Sequence, residues 1–503
     1  MFTLSVPSWL KPANAGWFVH HFGRPPTIRR NLAALAQITP EKLPEFVQMS
    51  EVAMRYLRLL GCLDWEHLPE REDLRFAPDI QALPYAPFVA ACLVKIDQHL
   101  PYMADLHQYL VDNPALVWVL GFPLKPSNKV PWGFDVQASL PTHRHFSRLL
   151  RLLPNDVLQF LLSSSIRLIQ QAISVELSPD FRFGDCISLD TKHIIAWVKE
   201  NNPKAYIEEK RYDKTKQPAG DPDCRLGCKK KTNQRKKGAS VESIPIATPL
   251  KNPVPAANLE IGEYYWGYGS GVVATKIADW GEFVLAEFTQ SFDQADVSYF
   301  THLMAQVEQN LGFKPRFGAL DAAFDAFYVY EYFDKVGGFA AVPFVERGQK
   351  GKREFDEAGA PLCEAGRPMS LRYTFQCKTT LIQHERGRYA CPLLHPKITG
   401  EVCPIQHKNW AKGGCVSTLA TSPGARIRYQ IDRESQSYKL VFKQRTAIER
   451  INSQAVEFGI ERPKLRNRAS IENQNSLIYI LINLHALQRI RQRKAARGQA
   501  VSA

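Results

Sequence analysis

The sequence lacks a long uninterrupted apolar segment. Its longest late apolar run, Leu477 to Leu487, contains Asn483 and His485 and is too short to span a bilayer, so we expect a buried helix there. The first 30 residues contain four prolines and no clean apolar stretch, which argues against a signal peptide. These absences predict a soluble, intracellular protein with no membrane partner.

Tightly spaced cysteines are also missing. None of the ten cysteines forms a C-x-x-C pair, and inside a reducing cell they are not expected to build a disulfide framework. Five of them fall within residues 346–437, where two precede prolines and two histidines lie nearby. We favour ordinary buried thiols here. A structural zinc site is the less favoured alternative, with Cys363, Cys377, Cys391 and Cys403 as candidate ligands.

Acidic residues are fewer than basic ones, 50 against 64, so the net charge is +14 and the pI is near 9.2. This balance favours a polyanionic partner, nucleic acid first and an anionic membrane surface second. The sequence also lacks the G-x-S-x-G motif of many ester hydrolases, which argues against that class. With 503 residues and 45% apolar content, the chain is long enough for roughly three domains with large cores.

Two basic segments are candidate DNA contacts. Residues 1–180 are predicted to be mostly helical, and within them Thr142 is expected to cap a short helix that exposes Arg144 and Arg148. That helix either enters a DNA groove or is an ordinary amphipathic surface helix. Residues 199–260 are rich in proline and are predicted to form a loop, whose basic run either contacts the DNA backbone or is a solvated charge run. The basic residues of that run are Lys229, Lys230, Lys231, Arg235, Lys236 and Lys237.

Two aspartates occupy positions that suit a metal site. Asp190 interrupts the apolar run 183–198, which is predicted to be a strand, and a carboxylate inside a strand needs a metal ion or a cation as its partner. Asp321 follows a short predicted strand and precedes a helix and a further strand, so it lies where open α/β sheets place their chemistry. The alternative role for Asp321 is that of a helix N-cap.

Glu449 is the third candidate acid. It lies on a helix predicted over Thr446 to Phe458, which follows a strand predicted over Tyr438 to Phe442. Arg445 lies one helical turn before it, so the alternative role for Glu449 is a surface ion pair.

Together these residues resemble the acids of insertion-sequence DDE transposases: Asp190 after a strand, Asp321 in ALDAAFD and Glu449 in FKQRTAIERIN. More narrowly, the chain is similar to the cut-and-paste group marked by a Y-x2-R-x3-E-x6-K signature. Arg445 and Glu449 match the middle of that signature, whereas Phe442 and Val456 stand at its tyrosine and lysine positions. The likeness covers roughly residues 100–490.

The resemblance implies an α/β RNase H-like catalytic core, a mixed five-stranded sheet with flanking helices. Residues 1–180 would form a helical region that binds DNA ends. Residues 181–345 would begin the catalytic domain and include the basic insertion 199–260, residues 346–437 would form a β-rich insertion, and residues 438–503 would complete the domain.

The resemblance also implies an activity and its partners. Asp190, Asp321 and Glu449 would hold two Mg²⁺ or Mn²⁺ ions, and Arg445 and Lys192 would contact DNA. The expected activity is cleavage at the ends of an insertion sequence, followed by transfer of the freed 3′-OH into target DNA. The enzyme would act as a homodimer on paired terminal inverted repeats, in the cytoplasm of a bacterial or archaeal cell and associated with the nucleoid. Two alternatives are an RNase H-like nuclease that cuts without joining and a catalytically inactive DNA-binding protein derived from a transposase.

Overall fold

The fold is taken from a computed structural model, which describes residues 32–71, 75–77, 80–81, 83–174, 182–202, 215, 217–230, 262–344, 353–378 and 381–501. The described chain before residue 175 is mainly helical, as the apolar spacing predicts. Its helices are α1 (Leu32–Ala36), α2 (Glu45–Gln48), α3 (Glu51–Leu60), α4 (Tyr85–Asp97), α5 (Met103–Val111), α6 (Pro114–Val119), α7 (Val136–Ser139), α8 (His143–Leu152) and α9 (Asn155–Ser174). Two short antiparallel pairs join them, β1 (Arg75–Ala77) with β2 (Ile80–Gln81) and β3 (Lys125–Pro126) with β4 (Phe134–Asp135).

A mixed sheet follows the helical region. Its strands are β5 (Cys186–Ile195), β6 (Arg225–Lys230), β7 (Gly262–Ile277), β8 (Gly281–Ser291), β9 (Phe317–Leu320) and β10 (Phe339–Ala341). Strand β9 pairs in parallel with both β5 and β10, whereas β7 pairs antiparallel with β5, β6 and β8. Strands β7 and β8 form a hairpin that turns at Trp280.

The sheet has one strand more than the five expected, because β6 comes from the basic segment predicted to be a loop. Leu226 on β6 is buried and its neighbour Arg225 is exposed, so this part of the strand has an inward side. In the sequence, the many lysines of the segment obscure this short alternation of buried and exposed residues. Pairing with β7, far along the chain, fixes the strand.

Two helices lie in the β8–β10 part of the chain, α10 (Phe300–Leu311) after β8 and α11 (Phe327–Asp334) between β9 and β10. Gly312 ends α10 with a φ of +75°, a left-handed conformation that glycine adopts without strain. Gly338 lets the start of β10 approach β9 closely, since a Cβ there would lie 1.7 Å from the carbonyl oxygen of Arg316.

Between the second aspartate and Glu449 lies a separate three-stranded antiparallel sheet, β11 (Ser370–Cys377), β12 (His384–Ala390) and β13 (Val416–Ala420). Four helices complete the chain: α12 (Gly424–Gln430), α13 (Gln436–Lys443), α14 (Thr446–Glu457) and α15 (Arg468–Val501). The strand predicted over Tyr438 to Phe442 is therefore wrong. Ser435 caps α13 by accepting a hydrogen bond from the Tyr438 N–H, and the Tyr438 and Phe442 rings stack one turn apart.

Helix α15 joins the helical region to the sheet. Buried side chains from the front helices, the sheet and α15 form one continuous hydrophobic cluster. The apolar run 477–487 is the buried helix that the sequence predicts, and Asn483 within it bonds to the backbone of Val284 and to the Ser165 hydroxyl. Among the described helices, none is long and apolar enough to cross a membrane.

Candidate functional site

Asp190 and Asp321 lie side by side at one position across the sheet. In the parallel pair β5–β9, Leu189 is opposite Leu320, so the residues that follow them are the two aspartates. Asp190 is within β5, and Asp321 directly follows β9. The strand contexts predicted for both are confirmed. Asp321 also caps the short turn after β9 by accepting a hydrogen bond from the Ala323 N–H at 2.8 Å, so its alternative role is present as well.

Burial makes both carboxylates costly to ionise. It raises the pKa of Asp190 to about 6, and the negative charges of Asp321 and Asp296 add to the effect. A hydrogen bond from the Thr191 N–H, 2.8 Å long, and the positive charge of Arg445 oppose this rise. The pKa of Asp321 is raised in the same way, by burial and by Asp296, against the Ala323 N–H and Arg445. Two neighbouring aspartates whose pKa values are both raised are typical of a functional site.

A third aspartate of this site, Asp296, was missed in the sequence. It begins the 3₁₀ turn Asp296–Tyr299 after β8, and its Oδ1 accepts a hydrogen bond from the Thr191 hydroxyl at 2.7 Å. The only local signal is an acid between a strand and a helix, which is too common to single out one residue. Its closeness to Asp190 depends on the pairing of β5, β7 and β8.

Helix α14 reaches Asp190 through Asn452, a residue that no sequence pattern marks. Asn452 donates from Nδ2 to Asp190 Oδ2 at 3.2 Å. The Asn452 Oδ1 atom is buried and has no hydrogen-bond partner in the described structure. An unpaired buried oxygen next to a buried carboxylate can accept from a water or bind a cation.

Glu449 lies three residues before Asn452 and therefore on the same side of α14. Its Oε1 accepts from Arg445 at 2.7 Å, and its side chain is 54% exposed, so the ion pair considered in the sequence analysis is confirmed. Arg445 thus pairs with Glu449 and also lowers the pKa values of both aspartates. The positive charge of Arg445 therefore acts on all three predicted acids.

The three acids are not gathered into one metal-binding group. Across the described residues, no set of three or more histidine, cysteine, aspartate or glutamate side chains is arranged so that it could hold a metal ion. The structure brings Asp190 and Asp321 together and leaves Glu449 on Arg445. The nearby Asp325 has a structural role, since its fully buried carboxylate pairs with Arg428.

No family model, curated protein or solved structure matches this chain.

The predicted DNA-contacting residues have varied surroundings. Thr142 caps α8 by accepting from the His145 N–H, and Arg144 and Arg148 are exposed on that helix, as predicted. Lys192 instead pairs with Glu461 at 2.5 Å and is mostly buried. In the polybasic run, the backbone of Lys229 and Lys230 belongs to β6. The remaining members, Lys231, Arg235, Lys236 and Lys237, lie outside the described residues.

An exposed aromatic surface lies beyond the end of β5. Trp197 is 42% exposed, and its ring is flanked by Lys464 Nζ at 5.8 Å and by the Arg466 guanidinium at 5.0 Å. The sequence shows the basic stretch around Lys464 but not its meeting with Trp197, because the two segments are far apart in the chain.

Of the four cysteines named as candidate zinc ligands, the structure groups three. Cys363, Cys391 and Cys403 line one cavity together with Cys415, whereas Cys377 ends β11 opposite His384 and is not among the lining residues.

Proposed function

We propose that this protein is a DNA transposase that cleaves at the ends of an insertion sequence and transfers the freed 3′-OH into target DNA. The observation that carries the proposal is the pair Asp190 and Asp321, two half-buried carboxylates, one within β5 and one directly after the parallel strand β9, of which Asp321 acts electrostatically on Asp190. Such a pair is what metal-dependent phosphoryl transfer requires, because divalent metal ions bind through a few carboxylates and the phosphate of the substrate.

The order of elements supports an RNase H-like core. Leaving out the additional β6, the strands run β8-β7-β5-β9-β10, with antiparallel pairing on one side of β5 and parallel pairing on the other. Helix α14, which carries Glu449, packs against β5 and β7, and Asn452 touches Asp190. The third acid is therefore on the helix that already reaches the first one.

The residues of this site fit a hard divalent cation. Asp190, Asp321 and the unpaired Asn452 Oδ1 provide oxygen ligands, the type that Mg²⁺ and Mn²⁺ prefer. Glu449 would become a further ligand if its carboxylate left the ion pair with Arg445 and bound the metal. When bound, two such ions would activate the attacking water or 3′-OH and stabilise the leaving oxygen.

The protein's own residues prepare the site for the reaction. Because the pKa of Asp190 is about 6, its carboxylate is ionised at neutral pH and ready to bind a cation. Arg445 pairs with Glu449 and offsets the negative charge of the aspartates, and with a cation bound it would be available to contact a DNA phosphate.

Two described surfaces suit DNA. Arg144 and Arg148 on α8 present positive charge to solvent, which gives backbone contact independent of base sequence. Trp197, between Lys464 and Arg466, offers a ring on which an unpaired base can stack while the cations contact phosphates.

The test uses DNA duplexes that contain the inverted repeats flanking the gene, with Mg²⁺ or Mn²⁺. Cleaved ends and joined products are separated on denaturing gels for the wild type and for Asp190→Ala, Asp321→Ala and Glu449→Ala. The matched controls are Glu457→Ala, an exposed acid on the same helix as Glu449, and Asp334→Ala, an exposed acid at the end of α11.

We expect the wild type and both controls to cleave and join, and the three site variants to lose both steps. A site variant with near wild-type activity would remove that residue from the proposed machinery. Cleavage without a joined product would favour the nuclease alternative. Specific DNA binding by the wild type without any cleavage would favour the inactive DNA-binding protein.

A further inference from the structure

Four cysteines that are far apart in the sequence meet inside the β-rich insertion. Cys363, Cys391, Cys403 and Cys415 line a single cavity of about 10 Å³. A cavity of this volume holds about one water-sized particle. The Cys415 and Cys391 side chains hydrogen-bond to each other, and Cys363 is close enough to act on Cys415 electrostatically.

The backbone is shaped to bring these thiols together. Three of the cysteines begin tight turns in which the N–H three residues later donates to the cysteine carbonyl. These bonds are Gly366 to Cys363 at 2.8 Å, Leu394 to Cys391 at 3.1 Å and Gln406 to Cys403 at 3.1 Å. The repetition of one turn at three separated cysteines indicates a common role for them.

Gly414 brings in the fourth cysteine. It has a φ of +84°, and a Cβ there would lie 2.6 Å from Cys391 Cβ and 3.2 Å from Cys391 Sγ. Only glycine allows the chain to pass so close to Cys391 and place Cys415 beside it.

The insertion has little else to hold it together. Between β12 and β13 the chain forms no regular element except the 3₁₀ turn Trp410–Lys412. The buried cluster in this region consists of Cys391, Leu393 and Cys403, with a few half-buried neighbours. A core of this size cannot fix a long irregular segment by hydrophobic burial, and small units of this kind depend on a disulfide or a metal.

We propose that Cys363, Cys391, Cys403 and Cys415 bind one structural Zn²⁺ ion that stabilises the insertion. Four thiolates form a closed tetrahedral set, the usual composition of structural zinc sites. His407 also lines the cavity, but its Nδ1 accepts from the Asn409 N–H at 3.1 Å, so the neutral ring carries its proton on Nε2, which lies 4.0 Å from Glu364 Oε1. Neither ring nitrogen then offers a lone pair to the cavity, and we take the four sulfurs as the ligand set. Arg367, another lining residue, would offset part of the negative charge of a zinc–tetrathiolate centre.

Zinc binding requires a local rearrangement of these side chains. The thiols in the structure are neighbours but do not have a metal-holding arrangement. Around zinc the four sulfurs would be about 3.8 Å apart, given Zn–S bonds of about 2.3 Å. Rotation of the cysteine side chains can close the set as the thiols release their protons to solvent on binding.

The test measures zinc in the full-length protein purified without chelators, by inductively coupled plasma mass spectrometry. We expect about one zinc per chain in the wild type, in Cys377→Ser and in an Asp190→Ala, Asp321→Ala double variant. The Cys377 variant is the matched control within the insertion, and the aspartate variant excludes the carboxylate site as the zinc ligand. Cys391→Ser and Cys403→Ser should lose the metal.

A second measurement uses only the wild type, in case the cysteine variants do not fold. Removal of zinc with a chelator should lower the melting temperature, and added Zn²⁺ should restore it. Co²⁺ in its place should give the visible absorption of tetrahedral thiolate coordination. Absence of zinc before and after reduction, zinc retained in a double Cys391→Ser, Cys403→Ser variant, or a disulfide between Cys391 and Cys415 in the folded protein would each overturn the proposal. None of these readouts depends on transposase activity.

Discussion

Replacement of Asp190 by asparagine should stabilise the fold while it abolishes the proposed activity. Asp190 is half-buried beside two other negative charges, so its ionised form is disfavoured in the folded protein. Asparagine has the same shape without the charge. Its amide oxygen can still accept from the Thr191 N–H, and Asn452 can turn its own amide so that the free Oδ1 accepts from the new side chain.

The size of the effect follows from the pKa of Asp190. Its rise from 3.8 to about 6 corresponds to an upper limit of about 3 kcal/mol at neutral pH. Since the folded pKa lies above the unfolded one, the folded protein binds the proton more tightly, and the wild type loses stability as the pH rises from about 4 to about 6. The asparagine variant has no such loss. We therefore expect a gain of about 1 to 3 kcal/mol above pH 6 that disappears near pH 4.

The assay is urea denaturation of the wild type and of Asp190→Asn at about pH 7.5 and about pH 4.5, without divalent cations. Asp334→Asn, an exposed aspartate, is the control and should change little. Addition of Mg²⁺ should then stabilise the wild type more than the variant, because only the wild type has the complete ligand set. A variant less stable than the wild type at the higher pH, or a difference that does not change with pH, would refute the reasoning.

Three further changes have definite expected outcomes. The Glu287→Gln variant should become more stable than the wild type as the pH rises from about 4.5, because burial raises the pKa of Glu287 to about 8. The difference in the free energy of unfolding should level off above about pH 8, and denaturation across this pH range measures that difference. Gly338→Ala should cost about 3 kcal/mol or more in the same denaturation experiment, because the new Cβ would collide with a backbone oxygen, whereas Gly312→Ala, with open space around it, should cost about 1 kcal/mol. Trp197→Ala should weaken binding of single-stranded DNA by about 1 to 3 kcal/mol in fluorescence anisotropy without loss of folding, and unchanged affinity would remove this ring from the DNA surface.

The parts of the site that the sequence predicts are those fixed by local patterns. An apolar run broken by one acid places Asp190 in a strand, and the strand–acid–helix order places Asp321 at the end of another. The ion pair of Arg445 with Glu449 follows from their spacing of four residues on one helix. Each of these inferences uses fewer than twenty neighbouring residues, and the structure agrees with all three.

The parts that the sequence does not predict depend on long-range packing. Asp296 and Asn452 join the site only because β8 and α14 pack near β5, and neither has a local pattern that marks it. Among the cysteines, the prediction named Cys377 and left out Cys415, because spacing alone does not separate them. The pairing of β12 with β13 and the close approach at Gly414 bring Cys415 to Cys391, while Cys377 ends at the far side of β11.

Arg445 explains how an acidic site can fold without a metal. Partial burial raises the pKa of both carboxylates, and the charge of Asp321 raises the pKa of Asp190 further, so by themselves they would favour protonation or local opening. Arg445 places a positive charge beside them whatever the metal concentration. In the proposed mechanism Asp190, Asp321 and Glu449 would hold divalent ions whose charge takes over this role, and Glu449 would give up Arg445 as its partner. When Glu449 became the third ligand, Arg445 would be released to bind a DNA phosphate. The catalytic site and its DNA contact would therefore form in one step.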